Sequence, residues 1–141
     1  MTRPAFSTKS LNKLNTVEPE LAAVVHAAMI ALPEVRQILG WSLKDFSVVW
    51  GYRSPEDQDA LFAKGRSQLK GGQSPHNHTP SRAVDLIPYP WDWGNVSTAD
   101  MKRFEELVQL MKIAARFEDY GLECGRDWKS FQDFPHFQRQ G

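Results

Sequence analysis

Hydrophobic residues recur at helical spacing in two long segments of the chain. In residues 17–32 the apolar positions fall three or four residues apart, and Pro19 suits the first turn of a helix. In residues 97–117 a similar apolar stripe follows Ser97 and Asp100, which form a capping-box pattern. The spacing therefore predicts two amphipathic helices, each with one face in a core.

Three other segments have the composition of strands. Residues 46–53, FSVVWGYR, are β-branched and aromatic and end at a glycine and a turn. Residues 83–89, AVDLIPY, form a second apolar run, in which Asp85 alternates with core positions. The tail at 126–138 predicts a turn followed by a short closing strand.

A short helix over 54–65, begun by Ser54, and a polar loop over 65–80 separate the first two strands. The predicted order is helix, strand, helix, loop, strand, helix, strand. That order is typical of a small α+β domain with helices packed on a short antiparallel sheet. Since no boundary interrupts it, residues 1–141 are expected to form a single domain.

The composition narrows the possible partners. With 17 basic and 17 acidic residues the net charge is zero, so no nucleic-acid-binding surface is expected. The single cysteine, Cys124, excludes an internal disulfide and indicates a reducing compartment. The N-terminal sequence lacks the apolar region of a secretory signal, and no segment approaches the roughly 18 apolar residues of a membrane span.

Two of the four histidines, His76 and His78, lie in a polar segment just before the second strand. His78 is separated from Asp85 by six residues, which lets a turn histidine and a strand aspartate face one point. With His136 they would form a usual ligand set for catalytic zinc, and Asp133 could then act as general base and acid. The residues alone leave another interpretation open, because loop histidines are usually solvated and the aspartate could serve as a turn or cap residue.

The segments SPHNHTPSRAVDLIPYP (74–90) and GRDWKSFQDFPHFQ (125–138) resemble the zinc peptidases of the D-alanyl-D-alanine carboxypeptidase superfamily, which includes the hedgehog signalling domain. The most similar branch is that of the L-alanyl-D-glutamate endopeptidases, many of them phage endolysins. It shows Ser-x-His-x-x-Gly-x-Ala-x-Asp and later Asp-x-x-His-Phe. The chain departs at His76, where the pattern has serine, and at Ser81, where it has glycine. The matching positions are His78, Ala83, Asp85, Asp133, His136 and Phe137.

The resemblance implies a role for several positions. One Zn²⁺ per chain would be held by His78, Asp85 and His136. Asp133 would be the catalytic base, and Arg53 would stabilise the oxyanion or hold substrate. Residues 51–67 also resemble the family segment that carries an arginine and a glutamine at the cleft.

Three further residues are candidates for contact with substrate: Gln58, Tyr89 and His76. The family spacing favours His78 over His76 as the ligand. By this spacing His76 would either face the substrate or form a hydrogen bond with one of the metal ligands. An extended segment would place both histidines on one face.

The function implied is that of a zinc metallopeptidase that hydrolyses peptidoglycan stem peptides at the L-Ala–D-Glu bond, as a phage-type endolysin in host lysis. A monomeric catalytic domain without a separate wall-binding module is expected. It would stay in the host cytoplasm until its release to the periplasm and cell wall. Two alternatives remain: a D-Ala-D-Ala carboxypeptidase or dipeptidase of the same superfamily, and a non-catalytic, zinc-stabilised module that binds wall peptides.

Overall fold

Four helices and four strands make up the computed structural model, which describes residues 6–67, 69–130 and 132–141. Helices α1 to α4 span Thr8–Leu14, Pro19–Leu39, Pro55–Ala63 and Thr98–Phe117. Strands β1 to β4 span Asp45–Trp50, Ala83–Tyr89, Leu122–Cys124 and His136–Arg139. Single 3₁₀ turns occur at Pro75–Asn77 and Gly125–Asp127. The prediction of a small α+β domain is confirmed; the predicted loop and tail each include one residue outside the described part, 68 and 131 respectively.

The strands form one antiparallel sheet in the order β1-β2-β4-β3. Strands β2 and β4 therefore lie at its centre, although they are far apart in sequence. Their register places Asp85 directly opposite His136. The register of β3 with β4 places Glu123 opposite Gln138. Polar residues from three segments of the chain are thereby brought to one region of the sheet.

The core lies between the sheet and helices α2 and α4, which pack on each other. In β2 the side chains of Val84 and Leu86 are fully buried in this core, as the alternation predicted. Both long helices contribute the stripes predicted from their spacing. The buried residues of α2 are Leu21, Val24, Val25, Ala28, Met29 and Leu32.

Helix α2 is the one helix in the described part of the chain that is long and apolar enough to cross a membrane by length and composition. Its apolar stripe, however, is buried against α4 and the sheet. That stripe is what a core helix of a folded domain requires.

Two elements were not predicted, and one helix is longer than predicted. Helix α1 has seven residues, and Ser10 on it accepts a hydrogen bond from the Val48 amide. Strand β3 has three residues, too few for periodicity to reveal. Helix α2 continues through Pro33 and ends only at Gly40, whose φ is 67°.

Candidate metal centre

Three side chains converge at the centre of the sheet. Asp85 Oδ1 lies 3.1 Å from His76 Nε2 and 3.3 Å from His136 Nδ1. One ligand atom from each of the three residues lies within 4.8 Å of the others. All three side chains are nearly buried. Two imidazoles and a carboxylate in this arrangement could hold a metal ion.

The segment before β2 directs His76 into the protein. Ser74 caps the 3₁₀ turn, with its hydroxyl accepting a hydrogen bond from the His76 amide. The His76 carbonyl in turn accepts from the Arg53 amide at 2.9 Å. The ring donates through Nδ1 to the Gly51 carbonyl at 2.8 Å. A Cβ on Gly51 would lie 2.2 Å from the Lys13 carbonyl oxygen, so glycine allows this residue to pack closely against the end of α1.

The structure does not bring His78 to this cluster. It lies at the C-terminal end of the 3₁₀ turn, where it is exposed, while His76 is 1% exposed. A 3₁₀ turn has three residues per turn, so side chains two positions apart do not share a face as they would in a strand. The choice of His78 over His76 is therefore corrected. A signal was available in the sequence: Ser74 and His76 keep the Ser-x-His part of the pattern, with two additional residues before Asp85.

Each histidine of the cluster is oriented by its second ring nitrogen. His76 uses Nδ1 to donate to a backbone carbonyl, which can only accept, so its Nε2 is left facing Asp85. His136 has Nε2 2.6 Å from Gln138 Oε1, so its Nδ1 is left facing Asp85. Metal-binding histidines are typically held in this way, with the other nitrogen bonded to a carbonyl or carboxylate. The donor set therefore fits a divalent metal.

The charges in the cluster are strongly coupled. Burial alone would raise the pKa of Asp85, but the charge of His76 and the hydrogen bonds from His136 and His76 hold it well below the ordinary value. Burial alone would lower the pKa of His136, but its hydrogen bond with Asp85 and the charge of that carboxylate raise it. Asp85 is thus a carboxylate at neutral pH, as a metal ligand must be.

Arg53 holds the oxygen of Asp85 that faces away from the histidines. Its Nη2 donates to Asp85 Oδ2 at 3.1 Å, and its guanidinium lies over the Trp50 ring at 4.7 Å. Burial lowers the pKa of Arg53, against the opposing charges of Asp85 and Asp133. The prediction that Arg53 belongs to the site agrees with this placement, because it contacts one of the candidate ligands directly.

Gln58 is fully buried, and its amide is saturated with protein partners. Its Oε1 accepts from Arg53 Nη1 at 2.8 Å. Its Nε2 donates to Ser67 Oγ and to the Leu69 carbonyl, both at 2.7 Å. The predicted contact with substrate is corrected accordingly: Gln58 positions Arg53 and ties Ser67 and Leu69 to it.

Asp133 is half-buried on the segment that leads into β4. Its amide donates to the Gly125 carbonyl at 2.9 Å, and its carbonyl accepts from the His136 amide at 3.2 Å. A Cβ on Gly125 would lie 2.2 Å from the Asp133 carbonyl oxygen, so the two segments can approach only because this residue is glycine. Burial and the charge of Asp85 raise the pKa of Asp133, against the charges of His136, His76 and Arg53. A raised pKa suits a carboxylate that exchanges protons near neutral pH.

Two other residues, the candidate Tyr89 and the single cysteine, lie apart from the cluster. Tyr89 is 65% exposed at the end of β2 that pairs with Asp45, four residues from Asp85. The structure does not bring it to the candidate ligands. Cys124 is buried on β3, and burial, with a smaller effect of Asp127, raises the pKa of its thiol to about 11. Such a thiol stays protonated and acts as core packing.

Three residues around His136 were not among the predicted site residues. Gln138 and Glu123 face each other across β3 and β4, and the Trp128 ring lies 5.1 Å from the His136 ring. The sequence does place Gln138 on the same face of the strand as His136. Strand β3, which supplies Glu123, could not be recognised, so the pairing could not be found.

Comparisons with known proteins place this chain in a family and identify a similar fold. The sequence model of the family described as phage L-alanyl-D-glutamate peptidase matches residues 3–140. The peptidoglycan L-alanyl-D-glutamate endopeptidase CwlK of Bacillus subtilis is 29% identical over 105 residues, which are 67% of this chain and 60% of that protein. The chain therefore spans less than two thirds of that relative. The crystal structure of the Serratia marcescens L-Ala D-Glu endopeptidase ChiX superposes with a TM-score of 0.70 at 27% identity, covering 96% of this chain and 89% of that one.

Proposed function

Because the chain belongs to the phage L-alanyl-D-glutamate peptidase family, we propose that it hydrolyses the L-Ala–D-Glu bond of peptidoglycan stem peptides as a zinc-dependent endopeptidase. The observation that carries the proposal is the cluster of His76, Asp85 and His136, with the Asp133 carbonyl accepting a hydrogen bond from the His136 amide. The relatives CwlK and ChiX, which are named for this bond, support the same substrate.

The proposed ligands of one zinc ion per chain are His76, Asp85 and His136, since one ligand atom from each lies within 4.8 Å of the others. Zinc held there would polarise the scissile carbonyl and lower the pKa of a bound water toward about 7. Two of these ligands were predicted from the sequence; His76 takes the place of His78.

Three residues of the protein have separate roles in the proposed reaction. Asp133 takes the proton of the attacking water and returns it to the leaving amine, a role its raised pKa favours. Arg53 fixes Asp85 through Oδ2 and adds a buried positive charge where the oxyanion develops. Gln58 fixes Arg53 in turn.

The biological role proposed is that of a phage endolysin. The family description supports it, as does the resemblance to peptidoglycan endopeptidases. A monomer that accumulates in the host cytoplasm and reaches the periplasm and cell wall at lysis would fulfil this role. The peptidoglycan stem peptide would be its partner.

Mass spectrometry of purified Gram-negative peptidoglycan, digested by the zinc-loaded protein, tests the proposal. New peptides with N-terminal glutamate are expected, and they should disappear when a chelator removes the metal. Release of D-alanine alone, with the L-Ala–D-Glu bond intact, would identify a carboxypeptidase instead. Binding of stem peptides without any cleavage would identify a non-catalytic module.

A further inference from the structure

A chain of hydrogen bonds leads from His136 across the sheet to β3. His136 Nε2 lies 2.6 Å from Gln138 Oε1, and Gln138 Nε2 donates to Glu123 Oε2 at 3.2 Å. The indole N–H of Trp128 donates to the same Glu123 oxygen at 3.0 Å. The sheet register pairs Glu123 with Gln138, so the contact between them is built into the fold.

The donor and acceptor types of the end groups fix one direction for this series of hydrogen bonds. An indole N–H can only donate, and a carboxylate can only accept. Glu123 therefore requires the NH₂ end of the Gln138 amide, which turns the carbonyl end toward His136. A carbonyl oxygen can only accept, so His136 must carry its proton on Nε2. Nδ1, which faces Asp85 and donates to it in the absence of a metal, is then the nitrogen whose proton a metal can replace.

The opposite arrangement would disable the ligand. If the Gln138 amide were reversed, its NH₂ group would face His136 Nε2, which would have to accept. The proton of the neutral ring would then sit on Nδ1 and block the lone pair that a metal needs. Glu123 and Trp128 exclude this arrangement without a hydrogen bond to the histidine.

We infer that Gln138 and Glu123 are positioning residues that hold His136 in the tautomer able to bind metal through Nδ1, an inference that rests on the proposed zinc site. Gln138 acts on the ring directly. Glu123 acts through Gln138 by fixing the orientation of its amide. The carboxylate at the end of the chain also polarises the amide and makes Nδ1 a stronger donor.

Zinc affinity, measured by competition with a chromophoric chelator, tests the inference independently of activity. Gln138→Leu should raise the Kd for zinc about 10- to 100-fold, the usual effect of losing a group that orients a metal-binding histidine. Glu123→Leu should raise it by a smaller factor. Glu123→Gln should stay near wild type, because the new carbonyl can still accept from Gln138 and Trp128.

The matched control is Glu105→Leu. Glu105 is also a partly buried glutamate, but it pairs with Arg126 and is not part of the hydrogen bonds that link His136, Gln138 and Glu123. The variant should bind zinc like the wild type. Loss of affinity in Glu105→Leu equal to that in Glu123→Leu would overturn the inference, because removal of any nearby carboxylate would then suffice.

Nitrogen NMR of the zinc-loaded protein supplies a second readout. In the wild type His136 should bind through Nδ1 and show a slowly exchanging Nε2–H, which Gln138→Leu should lose. Binding through Nε2 in the wild type would overturn the inference even if the variants failed to fold, and so would an unchanged Kd in Gln138→Leu. A wild-type protein that binds no zinc would instead refute the proposed function.

Discussion

Asp85 and His136 face each other across β2 and β4, with Asp85 Oδ1 3.3 Å from His136 Nδ1. Sheet register, rather than a loop, sets this distance. The third candidate ligand, His76, comes from a 3₁₀ turn and is held by hydrogen bonds to Gly51 and Ser74. Two ligands thus lie on rigid elements, and the third depends on the folding of one short turn.

Zinc content should distinguish the two neighbouring histidines. His76→Ala removes one of three ligands and should lower zinc occupancy after dialysis. His78→Ala removes an exposed side chain outside the cluster and should leave occupancy unchanged, which makes it the matched control. Elemental analysis of both purified variants provides the measurement. Loss of zinc in His78→Ala alone would restore the ligand set predicted from the sequence.

Arg53→Lys should keep the buried positive charge but lose the planar arrangement of donors. An ammonium group cannot reproduce the two Nη contacts with Asp85 and Gln58 in their present geometry. Turnover is therefore expected to fall while zinc content stays near wild type. Steady-state kinetics on a stem-peptide substrate, with zinc measured in the same sample, checks this. Unchanged kinetics in Arg53→Lys and in Arg53→Ala would leave the arginine with no part in the reaction.

Gln58→Leu should destabilise the fold as well as the site. The leucine is similar in size but leaves the Leu69 carbonyl and Arg53 Nη1 without their partner. Arg53 is buried, and a buried polar group left unpaired costs about 1–3 kcal/mol. Urea unfolding should show this loss, whereas Gln109→Leu, on the exposed face of α4, should show little change. Equal stability of Gln58→Leu and wild type would mean that the amide is dispensable as a link to the loop.

Most of the fold could be predicted because its long elements have a clear hydrophobic period. The capping box of α4 and the apolar stripes of α2 and α4 are local features, and they are confirmed. Helix α1 and β3 could not be predicted, because they are too short to show a period and depend on tertiary contacts. Strand β3 forms only by pairing with β4.

The candidate site was predicted in composition but not in every position. Asp85, His136 and Arg53 lie where the sequence motifs indicated. The choice between His76 and His78 failed because it relied on an unchanged loop length, whereas a 3₁₀ turn accommodates two more residues before β2. Gln58 was recognised as a neighbour of the site, but its burial depends on contacts with Ser67 and Leu69. No local pattern in the sequence reports such contacts.

Asp133→Asn should abolish most activity while retaining the metal. The amide cannot accept a proton, and general acid–base groups typically contribute about 10²- to 10⁴-fold. Hydrolysis of stem peptides should fall by that factor, with zinc content near wild type. Near wild-type hydrolysis by a folded Asp133→Asn protein would remove Asp133 from the mechanism.

The same substitution should stabilise the metal-free protein, with a pH dependence that follows from the raised pKa of Asp133. Burial and the charge of Asp85 make the ionised carboxylate less favourable in the folded state than in the unfolded chain. When the pKa of a carboxyl is higher in the folded state than in the unfolded chain, its protonated form favours folding. This contribution to stability is fully present below the unfolded pKa of about 4 and is lost as the pH rises through the folded pKa. Asp133→Asn should therefore be more stable than wild type at neutral pH, and the difference should vanish in acid.

Urea unfolding in the presence of a chelator, repeated from neutral to acidic pH, measures this difference. Asp92→Asn is the control, since it removes the same charge from an exposed loop. It should change stability little at any pH. A stability gain in Asp133→Asn that persists unchanged in acid would show that the gain has another origin than the buried charge. A loss of stability at neutral pH would show that the ionised carboxylate is favoured by its surroundings, which would also weaken its assignment as the base.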